Sequence, residues 1–452
     1  MSITTILENS KRGVQANRIA LEVTSDNVAN VNNPNYSRRL ATFDDMNFNT
    51  VSFGTWTNSK VSNELLRKRN SFVDGQYLEQ NPTLNKYDMD TKLFTQIEDI
   101  FGEPGKSGIS TNLNEFWSAW GDLSNDPENE SARMVVVDKA VALGKNFNRI
   151  NSELINLKEN IATSLDGDIG EINSKLHMLA QVNYEIAANN SDSLMDQRDQ
   201  LVSELSDYFE IQTYESTHGE MTVAVGGQIL VSNDKVNELE VYTENVGNSY
   251  DLNVRIKKGS DKIDIKSGEI GSMLSIANKS IPEFSRKLDE IAVNLANKVN
   301  NIHKSGYDLN SHTDIAFFSE GISSAGDFTV NSLIEKNPYL VATSDQLGEG
   351  ANSNIARQIN ELQNKNTLKG VSIDSYYSGL VTDIGAKVKK SSDFYASQDV
   401  IISTIKNQQD AESGVSLDEE LVNLSKFQQA FQASAKVLGT VQEMVDTILT
   451  LI

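Results

Sequence analysis

The sequence predicts an α+β chain: an elongated helical bundle with paired terminal coiled-coil helices and an inserted antiparallel β domain. Three observations carry that expectation. Both chain ends repeat apolar residues at spacings of three and four. The hydrophobic period changes from helical to two near Phe209. It turns helical again around residue 281. The expected division is 1–35 with 415–452 as the terminal coiled-coil core, 36–209 with 270–414 as a helical body with short strands and loops, and 210–269 as the β insert.

The N-terminal stripe runs through Ile3, Ile6 or Leu7, Ser10, Val14, Asn17, Leu21, Thr24, Val28 and Val31. Asn17, Ser25, Asn27 and Asn30 are poor helix formers, so the helix needs a partner surface for its stability. Asn32-Asn33-Pro34-Asn35 ends it, because Pro34 lacks an N–H and disfavours helical geometry at Asn33. Residues 40–70 read as loop and short strands, with alternation in "NTVSFGTW" and "SKVSNELL".

From about 85 to 209 the pattern is helical, with "LNEFWSAWGDL" and "ARMVVVDKAVALGKNFNRINSELINLKENIATSL" as its clearest stretches. Asp166-Gly167-Asp168 either interrupts one very long helix or sits exposed within it. Between 210 and 268, short alternating runs such as "EMTVAVGG" and "YDLNVRIKKG" are broken by Gly, Asn and Asp turns. Met221, Val223 and Val225 would share one face, as would Leu252, Val254 and Ile256. Helix is expected at 281–306, 352–364 and from about 377, with strands near 328–330 and 339–342.

The final segment carries the strongest helical signal. Leu417, Leu421, Leu424, Gln428, Phe431, Ala435, Leu438, Gln442, Val445, Leu449 and Ile452 follow a seven-residue repeat. Phe427, Val441 and Ile448 widen the stripe beyond a two-stranded seam, so this face must bury against more than one neighbour. Exposed on a lone chain, the "MVDTILTLI" end would be sticky.

The 452 residues carry a formal net charge of −23 and a pI near 4.6, which argues against a nucleic-acid groove or a polybasic membrane contact. Cysteine is absent, removing disulfides, zinc–thiolate sites and a thiol nucleophile together. The first residues lack the apolar core of a secretory signal, and no stretch approaches the roughly 18–20 apolar residues of a bilayer span.

The segment "LEVTSDNVANVNNPNYSRR" resembles the N-terminal signature of flagellar rod, hook and hook-associated axial proteins. Asp26 to Asn30 match the Asn/Ala-rich stretch of that signature, and Asn33, Pro34, Asn35 and Tyr36 match its turn. Asn35 stands where the family has glycine; if the position needs positive φ, Asn tolerates it well. The run Lys426–Ala435 is similar to hook-associated endings more than to hook or rod endings. Residues 283–318 resemble the internal helix and aromatic pair of the same group.

The resemblance implies that both terminal helices pair into a rod lining a central tube, covered by a ring of neighbouring subunits. Leu21 and Val28, with Leu421, Leu424, Phe431, Leu438, Val445 and Leu449, would form that assembly interface. Asn30, Asn33, Pro34, Asn35, Tyr36 and Arg38 would turn the chain outward, Arg38 and Arg39 anchoring it to carboxylates. The helical body would form the next shell and the β insert the outermost. The implied role is a structural subunit of the hook–filament junction, exported to the cell exterior without a cleaved signal peptide. The implied partners are further copies in a ring, the hook protein, a second hook-associated junction protein and an export chaperone on the C-terminus. Neither nucleic acid nor membrane is among them.

Residue patterns alone offer little chemistry. His177 and His218 read as surface residues, and His303 and His312 lack metal-ligand spacing. Asp308, Asn310 and Asp314 resemble a calcium loop, yet Thr313 replaces its glycine and Ser319 its final glutamate. The Gly-Lys-Ser at 105–107 lacks the earlier glycine of a phosphate loop. No catalytic residue, cofactor or metal is expected. Two alternatives stay open: an extracellular binding or adhesin-like module using the β insert, or another axial subunit such as the hook protein. A hydrolase with a dispersed acidic site fits poorly, the β insert being short and histidine-poor.

Overall fold

A computed structural model describes residues 3–43, 63–102, 108–189, 191–247 and 249–450. The two chain ends form an antiparallel pair, α1 (Ile3–Ala29) against α11 (Leu417–Thr450). On α1 the polar side chains near the seam satisfy themselves on the preceding turn: Ser10 Oγ donates to the Ile6 carbonyl at 2.7 Å, and Thr24 Oγ1 to that of Ala20 at 2.8 Å.

After the turn, β1 (Arg39–Phe43) pairs antiparallel with β2 (Asn63–Arg67). The alternating stretch 49–56 and the first part of 59–66 fall outside the described residues. A second antiparallel helix pair follows, α2 (Ser71–Phe101) against α10 (Ile373–Ser413). Asn70 reaches Glu412 at 2.6 Å, Gln398 reaches the Gln80 carbonyl at 3.1 Å, and the Tyr87 and Phe394 rings stack at 5.0 Å. Helix α2 therefore begins well before residue 85.

Helices α3 (Ile109–Asn125), α4 (Glu130–Ala188) and α5 (Asp192–Tyr208) complete the first half. Asn129 and Ser191 cap the latter two, accepting from the Ala132 and Leu194 N–H groups. Helix α4 is 59 residues long and runs unbroken through Asp166-Gly167-Asp168. At 1.5 Å per residue it spans about 90 Å.

The inserted β region comprises a four-stranded antiparallel sheet, β3 (Gln212–Glu215), β4 (Met221–Val225), β5 (Gln228–Ser232) and β6 (Lys235–Val236), and a hairpin, β7 (Leu239–Val246) with β8 (Ser249–Ile256). Met221, Val223, Val225, Leu252 and Val254 are buried, as the alternation requires. Their face shares one continuous core with Leu165, Ile172, Leu176 and Leu179 of α4. Two asparagines of α4 fasten it. Asn183 exchanges hydrogen bonds with the Met221 backbone at 2.8 and 2.8 Å, and Asn173 with that of Leu239 at 2.8 and 2.7 Å.

The chain then turns helical through α6 (Gly268–Ser275), one π turn (Ile276–Ser280) and α7 (Ile281–His303). The strands expected near 328–330 and 339–342 do not form. Val330 makes only a single bridge to Phe318, and Pro338–Leu340 is a 3₁₀ turn. What looked like strand is apolar packing without a partner ladder. Phe328 lies 4.6 Å from Phe318 and 5.0 Å from Phe147, ring to ring, within a buried aromatic cluster that includes Phe116, Trp120 and Phe317. Short helices α8 (Ser332–Lys336) and α9 (Asn354–Asn360) close the body.

Candidate assembly interface

The terminal pair is held most firmly at its root. Asn27 is 1% exposed and its amide joins three strangers in sequence. Its Oδ1 accepts from the Tyr36 hydroxyl at 2.8 Å and the Arg39 N–H at 3.0 Å. Its Nδ2 donates to the Arg39 carbonyl at 2.9 Å and to Glu420 Oε2 at 3.2 Å. Glu420, also 1% exposed, takes a second contact from Arg38 at 2.6 Å, while Arg38 reaches Glu419 at 2.8 Å. The Arg38 N–H also donates to the Ser413 carbonyl at 2.9 Å, tying the outgoing and returning chain together.

Behind this root stands an ion-pair network. Arg67 meets Asp196 at 2.8 Å, and Arg69 meets Asp199 at the same distance. Arg198 meets Asp199 at 2.7 Å and Glu215 at 2.8 Å. Burial would raise the Asp199 carboxyl, but Arg69, Arg198 and Arg67 outweigh it and hold it below the usual carboxylate range. Arg39 lies 5.0 Å from the Tyr36 ring centre and faces Asp192 and Asp196 at 3.7 and 3.8 Å. Burial pushes the Tyr36 hydroxyl up to about 12, with Arg39 partly opposing it.

The turn residues divide into two groups. Tyr36 and Arg38 reach inward as described. Asn33 shapes the turn, its Oδ1 accepting from the Asn35 N–H at 3.1 Å, and Asn30 donates to the Asp26 carbonyl at 2.9 Å. Pro34 and Asn35 are exposed. Asn35 is not among the described residues with positive φ, so the exchange of glycine for asparagine is not explained by that backbone demand.

Along the pair, the stripe of α11 splits. Leu424, Phe431, Leu438 and Val445 are half-buried, and with them Phe427, Ser434 and the fully buried Glu420 and Val441. These two columns form the side turned to α1, where Leu21 and Val28 are half-buried too. The adjoining column of Leu421, Gln428, Ala435, Gln442 and Leu449 stays open, Leu421 being 53% exposed and Leu449 66%, while Leu417, at the head of the Leu424 column, is 45% exposed. Ile452 falls outside the described residues. Sequence reasoning missed Asn27 and Glu420 as the centre of the root. Glu420 reads as an ordinary first-turn acid, and only its distant partners reveal it.

Among the described residues, no group of three or more His, Asp or Glu side chains is arranged to hold a metal ion, and no helix is long and apolar enough to cross a membrane. His177 pairs with Glu238 at 3.0 Å on the surface, and His218 is exposed in its turn. Asp308 spends its carboxylate on the Asn310 and His312 N–H groups, both at 2.8 Å, and on His312 Nδ1 at 2.9 Å. His303 is buried between backbone groups, its Nδ1 2.7 Å from the Ile315 carbonyl and its Nε2 accepting from the Ala342 N–H at 2.8 Å.

Three family descriptions match separate parts of the chain. Residues 94–318 match the helical domain of flagellar hook-associated protein FlgK, 7–36 the flagella basal body rod protein, and 409–451 the flagellar basal body rod FlgEFG protein C-terminal region. Flagellar hook-associated protein 1 of Bacillus subtilis is 27% identical, the match covering 98% of this chain and 97% of that one. The Escherichia coli K12 protein of the same name is 20% identical over 99% of this chain and 100% of its own length. In fold, the chain is similar to the flagellar hook junction protein FlgK from Burkholderia pseudomallei, with a TM-score of 0.67 at 14% identity over 75% of this chain and 100% of that one. With matches at both ends and through the helical middle, the chain is similar over nearly its whole length to the flagellar hook-associated protein 1 family of axial proteins.

Proposed function

We propose that the protein is a structural subunit of the flagellum at the junction of hook and filament, assembling through the open flank of its terminal helix pair. The observation that carries this reading is the split stripe of α11: one side is covered by α1, and on the other Leu421 and Leu449 stand more than half exposed. Burying one such leucine contributes roughly 1.5–3 kcal/mol. A ring of copies, with the hook protein and a second hook-associated protein on either side, would cover them. The half-buried Leu21, Val28, Leu424, Phe431, Leu438 and Val445 would hold the pair in shape and extend the packed surface.

Its work is mechanical, with no reaction, cofactor or nucleic acid, at a site outside the cell. Before assembly the same open flank offers an export chaperone its contact on the C-terminal helix. The test is the pair of substitutions Leu421→Asp and Leu449→Asp, made together. Purified protein should keep its melting temperature, because neither side chain is covered in the single chain, while cells carrying it should shed filaments and stop swimming. Normal swimming would remove the open flank from assembly.

A further inference from the structure

We propose that the Asn27–Glu420 contact, backed by Arg38, is the positioning device that sets the register of the terminal helix pair. That register decides which side chains the open flank presents, and in this consequence the proposal rests on the assembly reading above.

The need for such a device follows from the seam itself. Its repeat on α11 is seven residues, so sliding the helices by one repeat returns the same apolar columns of α11 to a seam of α1 whose buried residues are mostly small or polar, among them Ser10, Ala20, Thr24 and Asn27. The apolar contacts therefore discriminate poorly between registers. The root does not share this tolerance. Asn27 and Glu420 meet at 3.2 Å, and Gly13 lies against Ser434 fourteen residues further along each helix, two repeats away. Sliding one way would set Glu420 against Ala20, a buried methyl that satisfies no carboxylate. Sliding the other way would set Asn27 against Phe427 and strip its amide of Glu420. Each slip leaves a desolvated polar group unpaired, whereas the observed register pairs both. Arg38 strengthens the choice because its backbone is fixed by Ser413 and cannot follow a slip.

The cysteine-free sequence makes the register directly measurable. A Cβ placed on Gly13 would lie 3.5 Å from Ser434 Cβ, within the range of a disulfide. Gly13→Cys with Ser434→Cys therefore reports the observed register. Ala20→Cys or Ile6→Cys with Ser434→Cys traps the two slipped ones. In otherwise unchanged full-length protein, mild oxidation should favour the first pair over each trap by at least about tenfold, as expected where slippage strands a buried charge. With Asn27→Leu and Glu420→Leu added, helical circular dichroism should persist while the traps rise to within about threefold of the first pair, less than 1 kcal/mol of preference.

Should the leucine variant lose its helical signal, Arg38→Leu poses the same question with the seam intact, and the traps must rise there too. A single register in the helical leucine variant, or unchanged traps in Arg38→Leu, overturns the proposal. These cross-links are read on purified protein, so they stand apart from the swimming outcome of the Leu421 and Leu449 substitutions.

Discussion

Asn183 of α4 and Met221 of β4 hold each other by two hydrogen bonds, amide to carbonyl and backbone N–H to amide oxygen, both at 2.8 Å. A side-chain amide carries a donor and an acceptor in the same spacing as a peptide group, so it can stand in for a missing strand. The same two-point grip joins Asn173 to Leu239, Asn278 to Leu252 and Asn300 to Phe318. Asn183 adds a third bond to the Asn233 carbonyl at 3.0 Å. Asn183→Ala should destabilise the protein by about 1–3 kcal/mol, the penalty of stranding a buried peptide group, read as a lower urea midpoint. Amide exchange should accelerate in β4 before it does in α7.

The neutrality of His303 gives a pH dependence. Burial is the main cause of its depressed pKa of about 4, and Arg133 adds to it against the opposing Ile315 carbonyl and Asp308. Its ordinary value is 6.5, so between 6.5 and 4 the unfolded chain binds the extra proton and the folded one resists it. The stability associated with this residue is thus complete above pH 6.5 and declines as pH falls toward 4. At pH 5 the loss should be about 2 kcal/mol, measured as the difference in pH slope between the unmodified protein and His303→Gln.

Glu269 slopes the other way. Burial first, then Asp168 and Asp207, raise its carboxyl from 4.5 to about 7, with Lys92 opposing and Asp88 adding. The folded state holds its proton where the unfolded state has released it. Its contribution is complete below pH 4.5 and is lost as pH rises through 7. Glu269→Gln, which mimics the protonated form, should raise the melting temperature at pH 8 and leave it nearly unchanged at pH 4.5.

Gly268, immediately before it, tests the backbone. Its φ is +73°, and an added Cβ would lie 2.3 Å from the Tyr208 carbonyl oxygen. Gly268→Ala should destabilise by more than about 2 kcal/mol, because positive φ and a backbone clash act together. Limited proteolysis should find the connection after α5 opened in this variant and closed in Gly167→Ala, where an added methyl meets nothing within 4 Å.

Hydrophobic period made most of this architecture legible, and its failures are local. The start of α2 hides behind Gly75, Asn81, Pro82 and Asn85, all of which read against helix. Tertiary contacts override them: Pro82 is buried, and Asn81 and Asn85 both grip Asp207, at 2.6 and 3.0 Å. The apolar stripe of α11 was legible as a whole, yet it is too wide to show which column meets α1. That choice depends on Glu420 finding Asn27 393 residues away, a pairing no local pattern encodes. The ion pairs of Arg67 with Asp196 and of Arg69 with Asp199 are equally non-local, and each arginine alone resembles a solvated surface charge.

The length of α4 has a consequence for how the molecule carries a load. Polar anchors are spaced along it: Arg133 to Thr343 near its start, then Asn148 to the Ala325 carbonyl, and Asn173 and Asn183 to the β strands near its end. A load applied along such a strut is shared among attachments acting in parallel, so no single one takes all of it. The protein would then yield as a stiff beam flexing along α4, with the loops and strands attached to it carried along.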